Sequence, residues 1–398
     1  RARRYATLSW ATARSVAGGA VQEKALRLAE ARRLTFLVRA PGGVGGTRIG
    51  ELPDRLEPSA AAVPPLRVAL LGCGAVGGGV LHHLLDRRQR FTLVGVAVRD
   101  RRGAPAELPP HLAVTPEELA ARPADVLVEL AGGTGVEPWI AGALACGRHV
   151  VTANKALLAE RGASLRNLAG ERDVSLRTSA AVGGALPALE AVGRLAQGPG
   201  VRALRGVLNG TSSFVLDRLA AGDSLAAAAA EARRRGFAEA DPTLDLDGSD
   251  AAQKLVLLVR AAWGSDLAAA RELDWRQVPR RGIAEASVAA GPPGAVWRLV
   301  AQAAIDGGRL QVAVAPEPLP AGDFLATSAE AGNALEVVSA SGEVVHLAAQ
   351  GAGRWPTAEA VLADLEELWR DHAASFDAAG AAEVHDEVPL AAAGEVAS

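Results

Sequence analysis

The sequence predicts an α/β protein: a Rossmann-like parallel-sheet nucleotide-binding domain followed by an α+β domain. Three observations predict it. Between residue 66 and about residue 190, apolar strand-like runs alternate with helical patterns. The first of these runs, Val68–Leu71, passes directly into the glycine turn Gly72-x-Gly74-x-x-Gly77. From about residue 185, longer helices mix with alternating strands such as RLQVAVAPEPL.

Taken in order, residues 51–65 contain four prolines and read as a linker. LRVALLGCGAVGGGVLHHLL then reads as a buried strand, a tight turn and a helix. FTLVGVAVRD is a second strand and ADVLVELAG a third; a helix over 136–146 leads to the strand HVVTANK. Strands joined through helices imply right-handed βαβ crossovers and a parallel sheet, with cofactor at the strands' C-terminal ends. The expected divisions are 66–190 for the nucleotide domain, 191–335 for the second domain, and a weakly patterned, alanine-rich flexible tail over 373–398.

Composition narrows the class. A chain of 398 residues holds two or three domains. A net charge of −3, without a basic block, gives no reason to expect nucleic acid. Apolar runs all fall short of the roughly 18–20 residues of a membrane span. Cys73 and Cys146 cannot build a disulfide framework, so a cytoplasmic location is expected. The absence of methionine reads as a fragment or a processed chain.

In the glycine turn, Gly72 permits the tight bend, Gly74 lets backbone approach a pyrophosphate, and Gly77 lets helix pack on strand. At the end of the second strand an acid suits the ribose 2′-hydroxyl of NAD, whereas an arginine suits the 2′-phosphate of NADP. Arg99 comes first there, then Asp100, Arg101 and Arg102. NADP(H) is therefore favoured and NAD(H) stays open; a solvated turn is the plainer reading.

GFAEADPTLDLDGSDAAQKL (236–255) places five carboxylates within twelve positions and no base before Lys254. A calcium loop would need a bidentate glutamate where Lys254 stands, which defeats that reading. A solvated acidic turn and a pocket for an ammonium-bearing substrate both remain. Asp250 and Lys254 are four apart on a predicted helix and so share one face. An aspartate that orients a lysine, with the lysine protonating a developing alkoxide, is a general-acid arrangement.

G-F-A-E-A-D-P-T-x-D-x-x-G-x-D-A-A-x-K-L resembles the signature of the homoserine dehydrogenase family. VELAGG (128–133), HVVTANKALLA (149–159), AVGGALP (181–187), GVLNGTSSFVL (206–216), GNAL (332–335) and GAGRWPTAEAVLADL (351–365) agree in the same order, over about 66–370. The resemblance implies interconversion of L-aspartate 4-semialdehyde and L-homoserine with NAD(P)H, in threonine, methionine and isoleucine biosynthesis. It implies a nucleotide domain completed by a returning segment of about 336–372, a catalytic and dimerisation domain, and a homodimer. It makes Lys254 the proposed proton donor, with the choice between Lys254 and Lys155 left open, Asp250 its partner beside the substrate, and Glu239 and Asp245 the holders of the substrate's amino group. Lys155 lies at the nicotinamide and substrate. Cofactor contacts fall on Gly72, Gly74, Ala75, Val76, Gly77, Arg99, Lys155, Gly236, Glu239 and Gly353.

The family also binds sodium, largely on backbone carbonyls, which maps onto Ser179, Val182, Gly184 and Leu186. Two departures stand out. Ser179 replaces the usual acid, which weakens the expectation of sodium, and Leu244 replaces an acid found in some members. A glycine-rich turn without an ion is the plain alternative for this segment.

Residues 8–50 resemble the C-terminal end of an aspartate kinase catalytic domain, through VQEKALRLAEARR, LTFLVRA and the G-T-x-I ending. The kinase nucleotide motif is missing, so a remnant over 1–50 without kinase activity is expected, as is the lack of an ACT domain. Asn209-Gly210-Thr211 fits a glycosylation sequon but belongs to the family motif, and His82-His83 has no partner at metal-ligand spacing. Two other readings remain: another semialdehyde reductase on the same fold, or a nucleotide-binding pseudoenzyme left from a kinase–dehydrogenase fusion.

Overall fold

The computed structural model describes residues 5–385, except 17–20, 22, 39–45, 57–62, 99–104, 239–240, 286–287, 289–291, 293, 329–331 and 350–353. The chain divides into two compact units, 1–64 with 373–398, and 65–372.

In the first unit, β1 (Tyr5–Ser9), α1 (Trp10–Val16), α2 (Glu23–Ala31), β2 (Phe36–Val38), β3 (Thr47–Gly50) and β4 (Arg55–Leu56) form a sheet of order β2-β3-β1-β4 backed by helices. Its own small core gathers Leu8, Trp10, Ala13, Leu26, Ala29 and Ile49.

The second unit begins with β5 (Leu66–Leu71), α3 (Ala75–Asp86), β6 (Phe91–Ala97), β7 (Ala113–Val114), α4 (Pro116–Ala121), β8 (Val126–Glu129), α5 (Glu137–Ala145), β9 (His149–Thr152), α6 (Lys155–Glu171) and β10 (Leu176–Arg177). These strands make a six-stranded sheet, β10-β9-β8-β5-β6-β7, in which every pairing is parallel. LRVALL and VLVE are almost wholly buried, as expected of strands covered on both faces. Thr115 and Glu118 form a capping box at the start of α4, with Pro116 at its first position.

After α7 (Ala188–Gln197) come β11 (Val201–Val207), α8 (Gly210–Ala220), α9 (Leu225–Arg234), α10 (Thr243–Leu246), α11 (Ser249–Trp263), α12 (Ala268–Arg271), β12 (Val296–Asp306), β13 (Arg309–Leu319), β14 (Asn333–Ser339), β15 (Val344–Ala349) and α13 (Arg354–His385). The five strands form an antiparallel sheet, β13-β12-β11-β14-β15. Nearly all of α11 is buried between this sheet and its neighbours, so its polar residues face interior surface.

One expectation is corrected. The segment returning to the parallel sheet begins with α13, because β14 and β15 pair with β11 in the antiparallel sheet. Ala358, Val361, Leu362, Leu365 and Leu368 of α13 then pack with Leu66, Val68 and Leu70 of β5. The described chain is helical from 373 to His385, in a stretch whose alanine-rich composition favours helix. Residues 386–398 lie outside the described part.

Candidate active site

The glycine turn sits where β5 meets α3. Gly72 has φ +98°, and a Cβ there would come within 2.5 Å of the Ala131 nitrogen, so only glycine fits beside the neighbouring loop. A Cβ at Gly77 would strike the Gly72 carbonyl, whereas one at Gly74 would meet nothing within 4 Å. Gly74 thus opens onto a cleft of about 670 Å³ whose walls include Gly72, Val98, Thr115, Ala131 and Trp139. No described side chain caps α3 at Gly74, which leaves the first N–H groups, those of Ala75 and Val76 among them, for a phosphate. These residues fit a dinucleotide pyrophosphate.

Gly236 has φ +78° and its N–H bonds the Arg233 carbonyl, ending α9; among the described residues it does not line this cleft. Arg99 with Asp100–Arg102, Glu239 and Gly353 lie outside the described residues.

A second centre forms where α6, α10 and α11 converge. One helical turn apart on α11, Asp250 Oδ2 and Lys254 Nζ lie 2.7 Å apart; Lys155 Nζ, at the start of α6, lies 3.1 Å from Asp250 Oδ1. Asn209, the N-cap of α8, donates through Nδ2 to Asp245 Oδ1 and Asp250 Oδ2, each at 2.7 Å. Its Oδ1 accepts from Ser212 N and Ser212 Oγ, so the amide is fully engaged and holds the two carboxylates in register. Lys254 Nζ also donates to the Leu208 carbonyl at 2.5 Å.

Burial alone would push the Asp250 carboxyl up. The charges of Lys254 and Lys155, with donors from Lys254 and Asn209, outweigh it and hold Asp250 well below the usual carboxylate range. Asp245 goes the other way: burial and the nearby Asp250 charge raise it despite the Asn209 bond. It is a partly buried carboxylate placed to gain an ammonium counter-charge.

The acidic stretch therefore divides. Asp241 Oδ1 accepts from Thr243 N and Asp247 Oδ1 from Ser249 N, both local turn-forming bonds. Asp245 and Asp250 build the centre. Leu244 is exposed and takes no part.

Sequence reasoning passed over Asn209 as a site residue and did not single out Glu129. Glu129, at the end of β8, is completely buried. Its Oε1 accepts the N–H groups of Ala131 and Gly132 at 2.9 and 2.8 Å, and its Oε2 accepts the Thr152 hydroxyl at 2.6 Å. The signal was present in VELAGG, where a charged residue ends an otherwise apolar strand.

The segment mapped to sodium starts with a 3₁₀ turn, Ser179–Ala181, and bends through Gly183 (φ +82°) and Gly184 (φ +63°). The Leu186 carbonyl already accepts the Ala188 N–H at 2.7 Å, and Asn333 Nδ2 donates to the Gly183 carbonyl at 3.2 Å. Among the described residues no trio of His, Cys, Asp or Glu could hold a metal ion, so an ion here would rest on carbonyls. An acid does approach Ser179, from another element. Asp364 of α13 accepts Ser179 N at 3.2 Å and Ser179 Oγ at 2.5 Å.

Burial, with the Glu190 charge, raises Asp364 to about 6, against the Ser179 bonds and Arg177. The native state thus keeps this proton to higher pH than the unfolded chain, with its ordinary value of 3.8, and stability falls as pH rises from about 4 to 6. Asp364→Asn should flatten that slope, removing on the order of 1–3 kcal/mol of its fall, in urea titrations across the window.

A nucleotide-shaped turn at the end of a parallel sheet, together with a lysine–aspartate centre able to protonate an oxygen, defines a nicotinamide-dependent oxidoreductase. Residues 72–178 match the family model described as homoserine dehydrogenase, NAD binding domain, and residues 187–365 match that for homoserine dehydrogenase. The homoserine dehydrogenase of Neisseria gonorrhoeae is 33% identical over 326 residues, 77% of this chain and 73% of the relative. That of Mycobacterium tuberculosis is 35% identical, covering 76% and 71%. A solved homoserine dehydrogenase from Thiobacillus denitrificans superposes with a TM-score of 0.70 at 31% identity, over 82% of this chain and 76% of that one. The chain belongs to the homoserine dehydrogenase family, which is NAD(P)-dependent.

Proposed function

We propose that the chain reversibly reduces L-aspartate 4-semialdehyde to L-homoserine, with Lys254 as proton donor. The carrying observation is the Lys155–Asp250–Lys254 triad. Among the described residues Lys254 spends two of its three N–H donors on Asp250 and Leu208, and the third is left for the substrate's carbonyl oxygen. The nicotinamide, when bound, supplies the hydride to the aldehyde carbon. Lys254 then gives its proton to the oxygen, and Lys155 stabilises the charge that develops there. Asp245, with Glu239, holds the substrate's ammonium group.

NADPH is the preferred reductant in this reading, on the strength of Arg99 in the sequence. Residues 66–190 with α13 serve the cofactor, and 191–335 with β14 and β15 serve catalysis and dimerisation, in a cytoplasmic homodimer. Sodium sits on the carbonyls of Ser179, Val182, Gly184 and Leu186. Residues 1–50 correspond to the end of an aspartate-kinase-like catalytic domain; their separate core supports a folded unit. Among the described residues no helix is long and apolar enough to cross a membrane.

The test is oxidation of L-homoserine by the purified chain, following cofactor reduction with NADP and NAD in parallel and with sodium or potassium as the cation. Turnover with NADP at lower KM than with NAD is expected, and faster in sodium. Cofactor binding without turnover would sink the reading.

A further inference from the structure

Glu129 belongs to neither half of the site, yet its carboxylate bonds reach toward both. In the sheet it is the register partner of Leu71 on one side and Thr152 on the other, the last strand residues before the glycine turn and before the Lys155 helix. Its Oε1 pins Ala131 and Gly132, the loop against which Gly72 is packed. Its Oε2 takes the Thr152 hydroxyl, whose oxygen accepts Asn154 N at 3.0 Å. Asn154 closes the circuit: Nδ2 donates to the Gly133 carbonyl at 2.6 Å, and Oδ1 caps α6 by accepting Leu157 N at 3.1 Å. The next residue is Lys155, which reaches Asp250.

A completely buried carboxylate is costly unless its oxygens are well satisfied. Here three donors satisfy it: two N–H groups of the loop beside the cofactor turn, and the hydroxyl of Thr152 at the end of the strand that leads to Lys155. An apolar side chain would fill the same space between strands. The carboxylate does something an apolar residue cannot, which is to fix that loop and that strand end relative to one another.

We propose that Glu129 is a positioning residue for hydride transfer, setting the glycine-turn loop and Lys155 in one frame through Ala131, Thr152 and Asn154. The proposal rests on the reaction assigned above. A glutamine at 129 keeps the shape and can still accept from Ala131 and Gly132. Its NH₂ group then faces Thr152 Oγ1, which must turn its hydroxyl away and hold Asn154 N without the charge-assisted bond that fixes it on the carboxylate.

The test uses Glu129→Gln and, as a second variant, Thr152→Val, both in the full chain. Two readouts are taken: steady-state kinetics with homoserine carrying deuterium at the oxidised carbon, and reductive methylation of Lys155, with exposed Lys24 as internal reference. A misaligned reacting pair costs up to about 100-fold. We expect kcat to fall about 10- to 100-fold with a larger deuterium isotope effect, KM for the cofactor to change less, and Lys155 to be methylated several-fold faster relative to Lys24. Lower melting temperatures with unchanged isotope effect and unchanged labelling of Lys155 would overturn the proposal, leaving Glu129 a structural residue. If the wild type does not oxidise homoserine, the assigned reaction fails. The labelling then decides separately: faster Lys155 methylation in both variants supports the positioning role, and unchanged labelling refutes it.

Discussion

Lys254→Ala should lower kcat for homoserine oxidation by about 10²- to 10⁴-fold, the range a positioned general acid or base contributes. The argument is geometric. Lys254 is anchored by Asp250 on its own helix and by the Leu208 carbonyl, so its ammonium is held in one place, with one donor unspent among the described residues. Lys155 approaches Asp250 from the other oxygen and from a different helix, so it does not occupy the place that Lys254 leaves. Homoserine KM should change far less than kcat if the lysine acts at the transition state. A loss of that size in the Lys155→Ala variant, with Lys254→Ala retaining most activity, would reverse the two roles.

Asp250→Ala should cost both activity and stability. Removing one partner of a buried ion pair leaves the other charge without compensation, typically about 3–5 kcal/mol. The lower end applies here, near 3 kcal/mol, because the Lys155 side chain is 38% exposed and water screens part of its charge. Lys254 is only 11% exposed and has no such relief. Since Asp250 is held below its ordinary value of 3.8, the charge it contributes is fully present above that pH and lost only as pH falls through the lower, folded value. The loss of stability in the variant should therefore be nearly constant from pH 5 to 8 in denaturant titrations. A variant as stable as the parent would mean that the two lysines find other partners.

Local chemistry made much of this legible. The glycine turn was readable because each glycine answers a local steric demand that the fold then shows at Gly72 and Gly77. Asp250 and Lys254 were readable because four residues on a helix define one face whatever surrounds it. Glu129 and Asn209 were not, because their importance lies in partners 23 and 41 residues away, Thr152 and Asp250, and no local pattern encodes such a meeting. The same holds for Asp364, which reaches Ser179 across 185 residues. The returning segment was expected from about 336 and begins later, with α13, because the pairing of 336–349 with β11 is a long-range meeting that a strand pattern does not specify.

The two lysines reach one carboxylate by unequal routes. Asp250 and Lys254 ride on a single helix, so their spacing is set by helix geometry and survives any rigid displacement of α11. Lys155 arrives from α6, which follows the last residues of β9 in the parallel sheet. A hinge-like opening between the two sheets would therefore lengthen the Lys155–Asp250 contact while leaving Asp250–Lys254 as it is. One ion pair thus records the shape of a helix, and the other the distance between α6 and α11.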